Sequence, residues 1–66
     1  MITEYISTDQ LAEILGVAKT TVEALRYRGD GPPFIRLGAG KRPIVRYERT
    51  AVEAWIAART VGTVQS

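Results

Sequence analysis

The sequence predicts a small α+β domain, mainly helical, with elements in the order helix, helix, β-hairpin, helix. Three observations predict it. Ser7 and Gln10 form a capping box ahead of an apolar repeat, and a second helical stretch follows after only Gly16-Val17-Ala18. Beyond Asp30-Gly31-Pro32-Pro33 the pattern shortens to that of strands, then returns to helical spacing at Thr50.

The first helix is expected over Thr8 to Leu15. Ser7 and Gln10 can each satisfy the other's free backbone N–H, and Ile6 and Leu11 stand where a hydrophobic staple closes. Leu11, Ile14 and Leu15 repeat at helical spacing, Asp9 suits the positive end of the helix dipole, and Glu13 faces water. Gly16 can take the left-handed conformation that ends the helix. KTTVEALRYR, Lys19 to Arg28, continues with Val22 and Leu25 on one face until Gly29 stops it. Two short helices joined by a tight glycine-containing turn match a helix-turn-helix, with Val17 expected to fill the angle between them. The first helix is then support and the second the reader.

The prolines of Asp30-Gly31-Pro32-Pro33 lack N–H donors and bias the residues before them to extended conformations. FIRL and IVRY, residues 34–37 and 44–47, then read as two short strands around a hairpin loop, Gly38 to Pro43. In the second strand, Val45 and Tyr47 share one side, with Ile44 and Arg46 on the other. Thr50 and Glu53 have the spacing of a second capping box, opening TAVEAWIAAR with an apolar stripe of Val52, Trp55 and Ile56. This third helix is expected to close the core, and VGTVQS at residues 61–66 to fray.

With 66 residues the chain reads as one domain, 1–66, with an ordered core over about 5–60, and a domain so small has a thin stability margin. The absence of Cys and His removes disulfide and thiolate chemistry, the usual zinc ligand and the commonest general base. No apolar run approaches the roughly 20 residues of a membrane span, and MITEYISTDQ lacks the features of a signal peptide, so a cytoplasmic location is expected. The net charge of +2 is unevenly spread. Residues 19–49 hold eight cations against three acids, a balance of +5, and the flanks carry −3. Such a basic centre fits either a solvated charged surface or a nucleic-acid footprint, in which cations displace counterions from phosphate.

Two cations, Lys41 and Arg42, stand at the tip of the glycine-rich hairpin loop. A phosphate-binding P-loop is excluded, because its first Gly and its Ser or Thr would fall on Ile35 and Arg42, and because the loop joins two strands. Catalysis by an activated Ser or Thr has no His to support it, so no enzyme, cofactor, metal or small-molecule substrate is expected. Gly38 and Gly40 let the backbone approach a partner, and the tip can carry its cations to phosphates or into a narrow minor groove. The alternative is a soluble hairpin whose cations discourage edge aggregation.

At about 100° per residue, with Val22 and Leu25 inward, Thr20, Glu23, Ala24 and Tyr27 point outward, with Lys19 at the helix start and Arg26 and Arg28 on the flanks. Lys19, Thr20 and Tyr27 can reach base edges or phosphates. Glu23 either accepts from a cytosine amino group or pairs with Arg26 or Lys19. Arg36, Arg46 and Arg49 suit backbone clamps better than sequence readers.

The chain from Tyr5 to Arg59 resembles the small winged helix-turn-helix proteins of the excisionase and AlpA-like group, related to the DNA-binding half of MerR-type regulators. The resemblance is carried by Leu-Ala-Glu-Ile-Leu-Gly-Val at 11–17, Thr21-Val22, Gly31-Pro32-Pro33-Phe34, Val45-Arg46-Tyr47 and Val52-Glu53-Ala54-Trp55. It implies a second helix in the major groove, with Lys19, Thr20, Glu23, Ala24 and Tyr27 facing it. It also implies a hairpin wing whose Lys41 and Arg42 touch the minor groove or backbone. Two departures stand out: Ala18 replaces the usual Ser or Thr cap, at a cost of about 1 kcal/mol, and the second helix is less basic than usual.

The resemblance further implies double-stranded DNA as the partner in a bacterial host cell, and a phage or prophage excisionase that binds repeated sites, bends DNA and directs an integrase toward excision. Head-to-tail self-association on DNA is expected, since the chain lacks the long C-terminal helix that dimerises MerR proteins. The alternatives are a small transcription regulator of the same fold and, from another class, a basic protein-interaction module.

Overall fold

The computed structural model describes residues 4–38 and 40–61. Its elements in chain order are β1 (Tyr5–Ile6), α1 (Thr8–Leu15), α2 (Lys19–Arg28), β2 (Ile35–Leu37), β3 (Ile44–Glu48) and α3 (Arg49–Arg59). This is the expected mainly helical α+β, winged helix-turn-helix arrangement. It has one strand more than the hairpin alone provides. β1 pairs antiparallel with the base of β3, Tyr5 opposite Glu48 and Ile6 opposite Tyr47, so the sheet runs β1-β3-β2. The hairpin register places Ile35 opposite Arg46 and Leu37 opposite Ile44. Ala39, inside the hairpin loop, and all of VGTVQS but Val61 lie outside the described residues.

The start of α1 follows from its sequence. Ser7 Oγ accepts from the Gln10 backbone N–H at 3.1 Å, and Gln10 Oε1 accepts from the Ser7 N–H at 2.8 Å. Gly16 ends the helix at φ 71°, a left-handed conformation that a Cβ would strain, and its N–H donates back to the Glu13 carbonyl. The same arrangement recurs at Gly29, φ 75°, at the end of α2. These two glycines fix where each helix stops and turn the chain sharply there.

The buried set is Ile6, Leu11, Ala12, Val22, Tyr47 and Val52, with Leu15, Phe34, Val45 and Ile56 packed against it. Every element but the edge strand β2 contributes. Burying each of the larger aliphatic side chains here, Ile6, Leu11, Val22 and Val52, stabilises by about 1.5–3 kcal/mol, so few positions hold the fold together. Two residues expected inside are not. Ile14 is 53% exposed, because Ala12 takes the inward position on α1, and Val17 is 40% exposed, because the turn leads it outward while its N–H donates to the Ala12 carbonyl.

The third helix differs from expectation at its start. α3 begins at Arg49, directly after β3, with Glu48 as a cap residue that forms no side-chain cap bond. Thr50 therefore lies inside the helix and does not cap it. Glu53 accepts from Arg49 one turn earlier, at 3.4 Å, which removes it from a capping box. Along the expected stripe Val52 is buried, whereas Trp55 and Ile56 are half-buried. Trp55 instead pins the connection between α2 and β2, its Nε1 donating to the Asp30 carbonyl at 3.2 Å beneath the Arg59 guanidinium. Among the described residues no helix is long and apolar enough to cross a membrane.

Candidate nucleic-acid interface

The reader helix is oriented by one residue above all. Val22, 1% exposed, sits in the core against the α1 side, and this fixes the rotation of α2. Thr20 and Ala24 are consequently exposed, Glu23 is half-buried at the rim, and Tyr27 stands out at 87% exposure. The helix starts at Ala18 in extended backbone, φ −70° and ψ 151°, with no side-chain cap. Its carbonyl accepts from Thr21 and Val22, so only the donors ahead of them are left without help.

The wing lies across from this helix, and between them are two adjoining hollows. One, of about 370 Å³, lies between the starts of α1 and α2 and the outer part of β3; Lys19, Arg26, Arg42 and Arg46 line it together with the carboxylates of Asp9 and Glu23. The other lies toward the end of α2 and brings together Arg26, Tyr27, Arg36, Phe34 and Pro43. Arg26 is common to both. The two hollows form a two-part concavity between reader and wing: Lys19, Arg42 and Arg46 border the first and Arg36 the second, with Arg36 and Arg46 on opposite faces of the hairpin. Lys41 is exposed at the tip of the wing, next to Arg42, and neither forms an ion pair among the described residues.

The cations differ in how far they are engaged by the fold. Arg36 lies over the Phe34 ring at 5.8 Å, and Arg46 Nη1 donates to the Val45 carbonyl at 2.8 Å; both leave charge for a partner. Lys19 is tethered by Asp9 at 3.5 Å, and Arg28 by Asp30 at 3.6 Å. Arg49 sits away from the concavity between Glu53 and Glu4, at 3.4 and 3.2 Å. The hydrogen bond it donates to Glu53, then the charge of Glu4, raise its pKa above the ordinary guanidinium value. Arg26 is half-buried and meets three partners. Its Nη1 donates to Tyr47 Oη at 3.0 Å and approaches Thr8 Oγ1 at 3.4 Å, and its guanidinium lies 5.8 Å from the Phe34 ring.

One expected pairing does not form. Glu23 has no ion pair among the described residues, because Asp9 holds Lys19 while Tyr47 and Thr8 hold Arg26. Two residues whose sequence roles are purely structural join the site. Asp9 enters as the tether of Lys19, and Tyr47 as the hydroxyl partner of Arg26. The second had a signal: tyrosine at a core position of a strand requires a partner for its hydroxyl.

A support helix, a reader helix set by a tight turn and a basic ribbon facing that reader define the winged helix-turn-helix class of DNA-binding domain. The chain belongs to the helix-turn-helix domain family, that of small excisionase- and AlpA-like proteins, which matches it over residues 5–60. Members of that family bind DNA and are typically not enzymes. A comparison with curated proteins finds no match.

Proposed function

We propose that this chain is an excisionase-type recombination directionality factor acting in the cytoplasm of a bacterial host. In this reading α2 enters the major groove with Lys19, Thr20, Glu23, Ala24 and Tyr27 toward the bases. Lys41 and Arg42 reach the adjacent minor groove or backbone, while Arg28, Arg36 and Arg46 clamp phosphates beside it. Arg49, matched by two carboxylates, contributes least. Copies bind repeated sites head-to-tail, the DNA bends, and an integrase is directed toward excision.

The observation that carries the reading is the two-part concavity between α2 and the wing, with Lys19, Arg42 and Arg46 at one hollow and Arg36 at the other. Cations gathered around the space between reader and wing act together on a polyanion, whereas widely scattered ones do not. Footprinting on the attachment-site DNA of the element that encodes the chain tests it, combined with reconstituted recombination. Regularly spaced protected repeats and stimulation of excision by integrase are expected. Protection of a promoter, with a reporter response in the absence of integrase, would identify a transcription regulator instead. Failure to bind duplex DNA would leave the basic face to an acidic protein partner.

A further inference from the structure

We infer that Arg26 is a positioning residue, a strut that sets the wing at its angle to the reader helix, and not a phosphate contact. The inference rests on the DNA-binding reading above only for its functional consequence. The backbone of α2 lies against α1, and that of β3 against α1 and α3, so the joint between reader and wing is made chiefly by side chains. Arg26 is the side chain on α2 that crosses this joint by hydrogen bonding among the described residues. It reaches 21 positions along the chain to Tyr47 at 3.0 Å and 18 positions back to Thr8 at 3.4 Å. Its guanidinium also lies by Phe34, the residue just before β2, whose ring is 6.0 Å from that of Tyr47. One planar group therefore touches the first turn of α1, the root of β3 and the approach to β2.

Chemistry explains the choice of residue. Tyr47 is 1% exposed, and a buried hydroxyl without a partner carries a desolvation cost; Arg26 supplies a donor. A guanidinium can donate along several directions while stacking against a ring, whereas a lysine ammonium has no plane to stack. The Tyr47 hydroxyl in turn fixes where the guanidinium of Arg26, a residue that lines both hollows, rests. The strut and the concavity are thus one construction: loosening the first changes the shape of the second.

The test uses Arg26→Lys, Arg26→Gln and Tyr47→Phe, with thermal melting to confirm that each is folded. If Arg26 is a strut, Arg26→Lys and Tyr47→Phe each weaken duplex binding by about two- to tenfold, the range a net hydrogen bond is worth. Tyr47 is too deeply buried to touch DNA, so its effect can arise only through its neighbours. Both losses shrink toward onefold when Lys41 and Arg42 are already Ala, since a misplaced wing without cations has little left to lose. If Arg26 instead grips a phosphate, Arg26→Lys retains most of the affinity, Tyr47→Phe is silent, and Arg26→Gln lowers the salt slope by about 0.9 in either background. That outcome overturns the inference. A measurement without DNA separates this from the DNA-binding reading itself. The chain has no Cys, so spin labels at Ala24→Cys and Lys41→Cys report one distance, from α2 to the wing tip. It should broaden or shift with Arg26→Lys and with Tyr47→Phe; an unchanged distribution refutes the strut even if no DNA is bound.

Discussion

Removing the two cations at the wing tip gives the most direct measure of what the ribbon does. Lys41 and Arg42 are exposed and form no ion pair among the described residues, so both charges are available to a polyanion. Each phosphate neutralised on B-DNA contributes about 0.9 to the slope of log affinity against log salt. With both wing cations on phosphates, the Lys41→Ala, Arg42→Ala double variant should therefore have a slope shallower by about 1.8. Between about 50 and 200 mM salt, the parent should lose roughly tenfold more affinity than the variant does. Fluorescence anisotropy with a labelled duplex, titrated at four or five salt concentrations, reads this directly. Arg49→Ala is the internal comparison, since Glu4 and Glu53 already match that charge, and it should change the slope by less than one wing cation does. Parallel salt lines for parent and double variant would show that the tip does not touch phosphate, and the assignment of the ribbon to DNA would fall with it.

Ala18→Ser should stabilise the fold by about 1 kcal/mol and raise the melting temperature by about 4–8 °C. The site is exposed and already has the extended backbone that a capping serine needs. A melting curve that does not move would mean the first turn of α2 is satisfied in another way. Trp55→Phe should cost about 1 kcal/mol in urea denaturation, chiefly the hydrogen bond to the Asp30 carbonyl. A cost of several kcal/mol would show that the indole ring matters as core, which its half-buried position argues against. Thr20→Ala and Tyr27→Ala should alter the ranking of binding sites in a selection from randomised duplexes and leave the salt slope nearly intact. Equal losses on every sequence would count against α2 as the reader.

Local signals made much of this fold legible. The Ser7 and Gln10 box, the stops at Gly16 and Gly29, the uncapped start at Ala18 and the alternation of Val45 and Tyr47 all depend on residues a few positions apart. What escaped was non-local or overridden. β1 is two residues long, too short for any period, and exists because the base of β3 offers it a partner more than forty residues on. Thr50 and Glu53 have the spacing of a capping box, but the strand passes into helix two residues earlier, and Arg49 takes up the Glu53 carboxylate. Helical spacing placed Ile14 on the inner stripe, yet the narrow core admits the smaller Ala12 there.

The candidate site was legible in part for the same reason. Helical angles gave the exposure of Thr20, Ala24 and Tyr27, because Val22 does turn inward. The engagement of each cation could not be inferred along the chain. Arg26 and Arg28 are alike in sequence, two positions apart, but one meets Tyr47 across the fold and the other meets only the nearby Asp30. Lys19 differs again, since the turn between the helices swings Asp9 within reach.

β3 ends at Glu48 and α3 begins at Arg49, with no intervening loop. A ribbon and a helix welded end to end behave as a lever: force applied at the outer end must either flex the strand or be felt along the helix. A load on the wing therefore has a mechanical route to Trp55, the sole tryptophan, and from there to the Asp30 carbonyl it grips. Trp55 emission, compared with and without duplex, is therefore the place to look for a load on the ribbon, and emission unchanged on binding would show that none arrives there.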